Sequence, residues 1–503
     1  MAIQSKRSTG VPPVSRMGVS PMQRGLGRGT LKSVWAATST RDETPANLAT
    51  GETPVELMGG TPMLRSDMLR SEQTLRRRSV FMLPVVAVLG LVAGTACQSP
   101  GMARAIEEWA GMYELQVNET DDRGKTLVHF AARDGHVVVL KWLKAQGAEI
   151  NVTNDYGMTP MHEAAWGGHV DVMKWLKSQG ADVNARDRNG KTPIFWAAFR
   201  GHVAAMAWLK AQGANVNAKC NGGETPMCLA AWGGRLAAMT WLKDQGAEVD
   251  VKDNDGQTPM YAAACVGHVE AMKWLKAQGT EANLKDRFGS TPMFVAARGG
   301  HVEAMTWLKE QGVEINARDT IVDRGWTPLL HAVVSNDIDA MTWLLEQGAE
   351  VNVTDKRGWT PMSIAAGYDQ IEAMTCLLEH GVDIHAPIVM IEAARNGQID
   401  AMQWLQDRGV VFNASDILFW AAREGSMKAM AWLKEHGADV NAREDDEGKT
   451  PIFWAARYGR LDAVKWLAEQ GADLNARDHA GDTPLSWARE ELRPWLLENG
   501  AHE

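Results

Sequence analysis

A repeat of 33 residues constrains this sequence more than any other feature. A threonine recurs at positions 126, 159, 192, 225, 258 and 291, a constant step of 33, and proline follows it in all but the first unit. A fixed period of this length is typical of stacked arrays, in which each unit packs against its neighbours. The 503 residues therefore predict one long array in place of several globular domains.

Each unit combines a turn with two short helices, as residues 187–219 illustrate. Asp187 and Gly190 suit a tight turn, because aspartate can bond to its own backbone and glycine readily takes a positive φ. Thr192 and Pro193 suit the N-cap and first position of a helix. A second amphipathic helix follows after a Gly-His step. Such a unit cannot bury its own apolar side, so its neighbours must cover it.

These units resemble the ankyrin repeat, whose pattern D-x-x-G-x-T-P-L-H-x-A-A is followed by a Gly-His step and a Gly-Ala-x-x-Asn ending. The match is close in residues 154–186, where T-P-M-H-E-A-A-W-G-G-H occurs, and the resemblance spans residues 101–503. It implies an all-α solenoid of stacked helix-turn-helix units with β-hairpin tips. It implies little about which partner is bound, because this fold serves many partners.

The spacing of the units divides the chain into five parts. The glycine that ends each unit lies at 147, 180, 213, 246, 279, 312, 348, 381, 409, 437, 471 and 500, and two of the steps shrink to 28 residues. This shortening predicts that the hairpins are lost near 386–416. The predicted parts are a disordered leader (1–78), a signal peptide or anchor (79–97), a tether and N-terminal capping half-repeat (98–119), the repeat array (120–477) and a C-terminal capping repeat (478–503).

The leader, residues 1–78, is rich in Gly, Pro, Ser and Thr and shows no apolar period, which predicts disorder. An alternative is that translation starts at Met68, in which case most of the leader is absent from the natural product. Both interpretations stay open at this point.

The segment that follows has the parts of a secretory signal. Arginines at 76–78 precede the apolar Val80–Ala96, which ends in small residues. Cys97 resembles the lipidated cysteine of a bacterial lipoprotein, although Gly94 stands where such signals usually carry leucine. We therefore expect export or membrane tethering, in the cell envelope if the source is bacterial. An uncleaved anchor remains an alternative, as does a segment with no targeting role, which would leave the protein in the cytoplasm.

Charge and cysteine spacing argue against nucleic acid and metal. Residues 79–503 carry 40 Lys and Arg against 56 Asp and Glu, a net charge of −16, whereas nucleic-acid binding requires a basic surface. The five cysteines, at 97, 220, 228, 265 and 376, form no CxxC pair or zinc-ligand spacing. We expect no bound metal or cofactor.

Catalytic motifs are likewise incomplete. Gly-Lys-Thr occurs at 124–126, 190–192 and 448–450 but lacks the earlier glycine of a phosphate-binding loop. His162-Glu163 lacks the second histidine of a zinc-protease helix, and Trp166 occupies its place. The histidines at 136, 169, 202, 268 and 301 recur in the Gly-His step and are interpreted as structural. The sequence therefore predicts that the protein is not an enzyme.

A tryptophan recurs in the second helix of the unit, which predicts a packing role between successive outer helices. It lies at 142, 175, 208, 241, 274, 307, 343, 404, 432, 466 and 495 and is replaced by Cys376 in one unit.

By the ankyrin resemblance, the hairpin tips and the two residues after the Ala-Ala pair face an inner groove. The candidate partner-binding residues are Tyr156, Trp166, Phe199, Arg200, Trp232, Phe288, Arg298, Trp326, Arg357, Trp359 and Tyr368. Tryptophan, tyrosine and arginine dominate interface energetics. We therefore predict a monomeric scaffold that binds another protein. The alternatives are an enzyme or accessory subunit acting on an envelope substrate, and a structural spacer whose rings merely stack on one another.

Overall fold

The computed structural model describes residues 117–320, 325–444 and 446–502. They form 24 α-helices arranged in successive pairs. The first six pairs are α1 Leu127–Arg133 and α2 Val137–Ala145, α3 Pro160–Gly167 and α4 Val170–Ser178, α5 Pro193–Arg200 and α6 Val203–Ala211, α7 Pro226–Trp232 and α8 Leu236–Asp244, α9 Pro259–Cys265 and α10 Val269–Ala277, α11 Pro292–Arg298 and α12 Val302–Glu310. The remaining pairs are α13 Pro328–Val334 and α14 Ile338–Glu346, α15 Pro361–Gly367 and α16 Ile371–Glu379, α17 Pro387–Arg395 and α18 Ile399–Asp407, α19 Ala414–Glu424 and α20 Met427–Glu435, α21 Pro451–Arg457 and α22 Leu461–Glu469, α23 Pro484–Trp487 and α24 Arg493–Glu498.

The first helix of most pairs begins directly after the recurring threonine, as the sequence predicts. In α3 the N-cap is Thr159 and Pro160 occupies the first position, where its missing N–H costs no hydrogen bond. The Thr159 N–H donates to Nδ1 of His162, at 3.0 Å. The opposite ring nitrogen, Nε2, lies 3.1 Å from the Lys191 carbonyl oxygen in the next unit. The same histidine therefore caps its own helix and links it to a neighbour.

The buried core of the stack runs along the first helices, which contact one another through short side chains. Each first helix packs against the first helices of the units before and after it. Their alanine pairs, such as Ala164 and Ala165, have no solvent exposure and allow the helices to approach closely. One unit alone would leave these surfaces in water, so burial couples every unit to its neighbours.

The second helices cover the other side of the first helices. In α6, Ala205, Met206 and Leu209 are buried, whereas Trp208 is half-buried. Three of the recurring tryptophans, Trp307, Trp404 and Trp432, are less than one-tenth exposed, which agrees with packing between outer helices.

The connections between pairs are tight turns. In the turn at Asp187, the Gly190 N–H donates to the Asp187 carbonyl oxygen at 2.8 Å, and the Asp187 N–H donates to the Lys191 carbonyl oxygen at 2.9 Å. The Asp187 carboxylate accepts from the N–H groups of Asn189 and Lys191. These few bonds close the turn without a strand ladder, and the described residues contain no β-strand. The fold class is confirmed, but the predicted β-hairpin tips are turns.

Successive turns are joined by backbone hydrogen bonds. The Arg188 N–H donates to the carbonyl oxygen of Tyr156 in the preceding turn, at 2.9 Å, and the Asn221 N–H donates to that of Asn189, at 2.8 Å. The asparagine that ends many units adds a second link. Asn217 donates from Nδ2 to the Gly246 carbonyl oxygen, at 3.0 Å. The units are therefore connected by directed bonds as well as by apolar burial.

Two helix pairs, those that begin with α17 and α19, are not preceded by the tight turn found in the other units. Residues 382–386 lead directly into α17, and residues 410–413 lead into α19, whose N-cap Asn413 accepts from the Ser415 N–H at 3.0 Å. The helices α17 and α19 have 9 and 11 residues, against seven or eight in the first helices before them. The last pair is short, since α23 has four residues and α24 has six.

Candidate partner-binding surface

One side chain per unit follows the buried pair of small residues near the end of the first helix, and we call this series the inner row. Its members are Arg133, Trp166, Phe199, Trp232, Cys265, Arg298, Val334, Gly367, Arg395, Arg423 and Arg457. The row is aromatic in three consecutive units, carries arginine at both ends, and is small at Val334 and Gly367. These differences divide the surface into three regions.

The aromatic region forms a continuous stack. The ring centroids of Trp166 and Phe199 are 5.4 Å apart, and those of Phe199 and Trp232 are 5.1 Å apart. All three rings are half-buried, so each keeps part of its surface in solvent. Ring pairs at this spacing contribute about 0.5–1.5 kcal/mol beyond the burial of their area. The stack is thus a rigid apolar strip with an exposed side.

Two guanidinium groups flank the stack. The Arg200 guanidinium lies 5.2 Å from the centroid of the Trp166 ring, and that of Arg133 lies 6.0 Å away. Both distances are within the range of cation–π attraction. Arg200 is exposed. Arg200 was expected from the sequence, whereas Arg133, which lies at the same ring, was not.

Two other candidates from the sequence, Tyr156 and Phe288, lie at turns, whereas Arg298 ends α11 and belongs to the inner row. Tyr156, Phe288 and Arg298 are half-buried. The Phe288 ring packs under the Arg287 guanidinium at 4.5 Å, and Arg287 itself pairs with Asp255 at 3.0 Å. All three side chains therefore keep part of their surface in solvent.

Trp326 is buried and does not belong to the exposed surface that the sequence predicts. The residue is only 5% exposed, whereas the ankyrin resemblance predicts an open position in the groove. The indole N–H donates to Oδ2 of Asp355 in the following turn, at 3.1 Å. A buried indole needs such an acceptor, and the aspartate that closes the next turn supplies it. The ring also packs edge-on against His331, with centroids 5.3 Å apart.

Trp359 and Tyr368 lie where the inner row is small. Trp359 is half-buried, with the Arg357 guanidinium 5.8 Å from its ring, and Tyr368 is 38% exposed. Both line a cavity of about 160 Å³. The other residues that line it are Trp326, Val334, Ser363, Ile364, Gly367, Glu392, Asn396 and Gln398.

The arginine region was missed by the sequence analysis. Arg395, Arg423 and Arg457 occupy the row in three consecutive units, and the signal was present as an arginine directly after each Ala-Ala pair. Arg423 lies 4.6 Å from the Tyr458 ring, and Arg457 lies 4.8 Å from the Trp487 ring. This region therefore combines cations with aromatic rings, as the stack does.

Buried ion pairs hold the arginine region together. Arg395 contacts Glu392 at 2.8 Å and Glu424 at 3.1 Å, and Glu424 also contacts Arg460 at 3.4 Å. Burial raises the pKa of Glu392, whereas the neighbouring Arg395 charge acts to lower it. Burial lowers the pKa of the Arg423 guanidinium. The network crosses three units at the place where the turn-to-turn bonds are missing.

The histidines that the sequence offers as possible ligands or bases lie in the first turn or at the N-cap of helices in the described residues. Within them, no group of three or more His, Cys, Asp or Glu side chains could hold a metal ion. The recurring histidines of the Gly-His step stand at the N-caps of the second helices, and His301 Nε2 lies 3.1 Å from the Cys265 carbonyl oxygen. Burial lowers the pKa of His162, whose ring nitrogens contact the Thr159 hydroxyl and the Lys191 carbonyl oxygen.

The predicted signal peptide or anchor at 79–97, with the lipidation candidate Cys97, lies outside the described residues, as do the leader and most of the predicted cap at 98–119. Within the part of the chain that the structure describes, no helix is long and apolar enough to cross a membrane.

Comparison with known proteins identifies the repeats. The family described as "Ankyrin repeats (3 copies)" matches residues 94–187, 180–253, 238–319, 319–388 and 390–478. A search of curated proteins finds no significant match. Among solved structures, the human ASB11 ankyrin repeat domain is 27% identical, with 45% of this chain and 99% of that chain covered and a TM-score of 0.38. The family matches span more than half of the sequence and coincide with the stacked helix pairs, and the chain therefore belongs to the ankyrin repeat family.

Proposed function

We propose that this protein is a non-catalytic scaffold that binds a partner protein through its inner row. Ankyrin repeats generally mediate protein–protein interaction. The observation that carries the proposal for this chain is the stack of Trp166, Phe199 and Trp232, three large rings held in register on consecutive units and left partly in solvent. Exposed aromatic strips of this kind usually mark a binding surface.

The energetics favour such a strip as the centre of an interface. The few residues that carry most of the binding energy in protein interfaces are enriched in tryptophan, tyrosine and arginine. The rings here already pack on one another, and the helices that carry them are anchored by buried alanines such as Ala164 and Ala197. Docking on a surface that is already ordered loses little conformational entropy.

The test compares two matched sets of substitutions in the full chain. One variant carries Trp166→Ala, Phe199→Ala and Trp232→Ala, and the control carries Trp208→Ala, Trp241→Ala and Trp274→Ala on the second helices. Each is immobilised at equal amount, with its helicity checked by circular dichroism, and exposed to an extract of the source cells. We expect specific partners to be retained by the wild type and the control and lost by the stack variant. Equal retention by all three proteins contradicts the proposal.

The stack also favours one second candidate, a structural spacer, because rings that pack on one another stiffen the array without any partner. The same experiment separates the two functions. For a spacer, the stack variant changes the free energy of unfolding and leaves the set of captured proteins unchanged.

We further propose that the protein is exported or tethered to a membrane through residues 79–97. The support is the sequence alone, namely the basic residues at 76–78, the apolar Val80–Ala96 and the cysteine at 97. Mass spectrometry of the mature N-terminus, with Cys97→Ser as the comparison, tests this. Cleavage before Cys97 with an added lipid mass, lost in the variant, is the expected result. A mature protein that retains the entire segment and fractionates with cytosolic proteins contradicts it.

A further inference from the structure

The inner row has a gap where α13, α15 and α17 meet. Val334 and Gly367 occupy the row there, whereas the units on either side present Arg298 and Arg395. Because neither Val334 nor Gly367 fills the space, a cavity of about 160 Å³ opens beneath the surface. Ligand pockets for drug-sized molecules are about 300–1,000 Å³. The space is therefore suited to one inserted side chain.

Three aromatic residues line this cavity, and two of them are fixed by hydrogen bonds. The indole of Trp326 donates to Asp355, at 3.1 Å, and the indole of Trp359 donates to the carboxylate of Glu392. Tyr368 stands at the exposed side. The faces of these aromatic rings attract cations, and the Arg357 guanidinium already lies 5.8 Å from the Trp359 ring centroid.

Among the described residues that line the cavity, Glu392 alone carries a formal charge. It is buried, and its counterion Arg395 is shared with Glu424. A carboxylate removed from water attracts cations strongly, because the low dielectric weakens the attraction little. An ammonium group in the cavity would therefore share Glu392 with Arg395, which contacts it at 2.8 Å. The charge and the rings therefore favour the same kind of occupant.

We propose that this cavity receives the ammonium side chain of a lysine from the bound partner. The alkyl part of the side chain packs against the aromatic rings, and the ammonium group reaches Glu392. The proposal rests on the proposed function, because it assumes that a partner docks on the inner row. It adds that the unit containing Gly367 recognises the partner through a lysine side chain.

Direct titration tests the cavity without the partner. The full chain is labelled with 5-fluorotryptophan, and the fluorine resonance of Trp359 is assigned by its loss in Trp359→Phe. The probe is Nα-acetyl-lysine methylamide, which keeps its ε-ammonium group. Nα-acetyl-norleucine methylamide is its uncharged counterpart of similar shape. We expect a saturable shift of the Trp359 resonance with the lysine probe and binding about tenfold weaker with norleucine.

Variants locate the interaction. Glu392→Gln keeps the size of the side chain and removes its charge, and we expect about tenfold weaker binding of the lysine probe. Gly367→Leu places a side chain in the gap and should abolish the shift. Glu372→Gln, an exposed position on α16, is the matched control and should bind as the wild type does.

Two results overturn the proposal. Equal binding of lysine and norleucine shows an apolar pocket, and the absence of any Trp359 shift shows that the cavity takes neither side chain. Neither result depends on Glu392→Gln, Gly367→Leu or Glu372→Gln, so the test stays intact if one of these variants fails to fold. Because the capture experiment perturbs Trp166, Phe199 and Trp232 instead, failure of the cavity is distinguishable from failure of the proposed function.

Discussion

The Phe199 ring lies between those of Trp166 and Trp232, with its centroid 5.4 Å from the first and 5.1 Å from the second. One phenyl group thus joins three consecutive units across their partly exposed surface. In a repeat protein, stability is a sum of unit terms and nearest-neighbour terms. Phe199 contributes to two neighbour terms at once.

Phe199→Ala should therefore lower the free energy of unfolding by about 1–3 kcal/mol, because it removes two ring contacts and part of a buried surface. Urea denaturation followed by circular dichroism measures the change. Phe288→Ala is the matched control, since Phe288 is also half-buried but packs against an arginine instead of two rings. An equal loss for the two variants would show that the stack adds nothing to stability.

Gly157→Ala should destabilise the array more than Gly213→Ala does. Both glycines have positive φ, +72° and +96°, which costs an alanine about 1–2 kcal/mol in either place. A Cβ at Gly157 would also lie 2.8 Å from the backbone nitrogen of Arg188 in the next turn, whereas a Cβ at Gly213 meets nothing within 4 Å. Thermal unfolding of the two variants measures the difference. Equal melting temperatures would mean that the turns do not need this close approach.

His162→Ala should lower the free energy of unfolding by about 2–3 kcal/mol, because it leaves the buried Lys191 carbonyl oxygen and the Thr159 N–H without their partner. Chemical denaturation measures the loss. His385→Ala, at an exposed position, serves as the control and should change stability little. If both variants unfold at the wild-type denaturant concentration, the histidine link between units carries no stability.

Glu444→Gln should stabilise the protein increasingly as the pH rises, with the full effect above pH 7. Burial raises the pKa of Glu444 to about 7, and the neighbouring Glu447 charge adds to this effect. At pH values between the ordinary pKa of glutamate and about 7, the folded state therefore binds more protons than the unfolded state. The free energy of unfolding falls as the pH rises through this window. The penalty is complete above pH 7.

We expect Glu444→Gln to raise the free energy of unfolding by about 1 kcal/mol at pH 8, after allowance for solvent screening of a partly exposed group. At pH 5 the increase should be close to zero. Denaturation at the two pH values measures it. The exposed Glu435, changed to Gln, should show no such dependence. A gain that is equal at pH 5 and pH 8 would contradict the raised pKa.

The fold was predictable because its signals are local and repeated. The step of 33 residues, the Thr-Pro start and the Ala-Ala pair each specify a helix end or a close packing contact, and the structure places them accordingly. The turns were over-interpreted as β-hairpins, since Asp187 and Gly190 close a turn with too few bonds for a ladder.

The surface was less predictable because it depends on pairs of distant residues. The sequence gives no sign that the Trp326 indole would find Asp355 and become buried. The arginines at 395, 423 and 457 share one position in the repeat and could have been selected by the same rule as Trp166. The cavity depends on what Gly367 lacks, which becomes visible only when Trp359 and Glu392 are placed around it.

Glu424 makes several of the ion pairs that connect neighbouring units. In most of the array, adjacent turns are held by backbone groups, as in the bond from Arg188 to Tyr156, and these bonds are indifferent to which side chain is present. Around α19, one carboxylate instead contacts Arg395, Arg423 and Arg460. A single base change at that codon can therefore remove three links at once, so this section should tolerate mutation less well than the regular units before it.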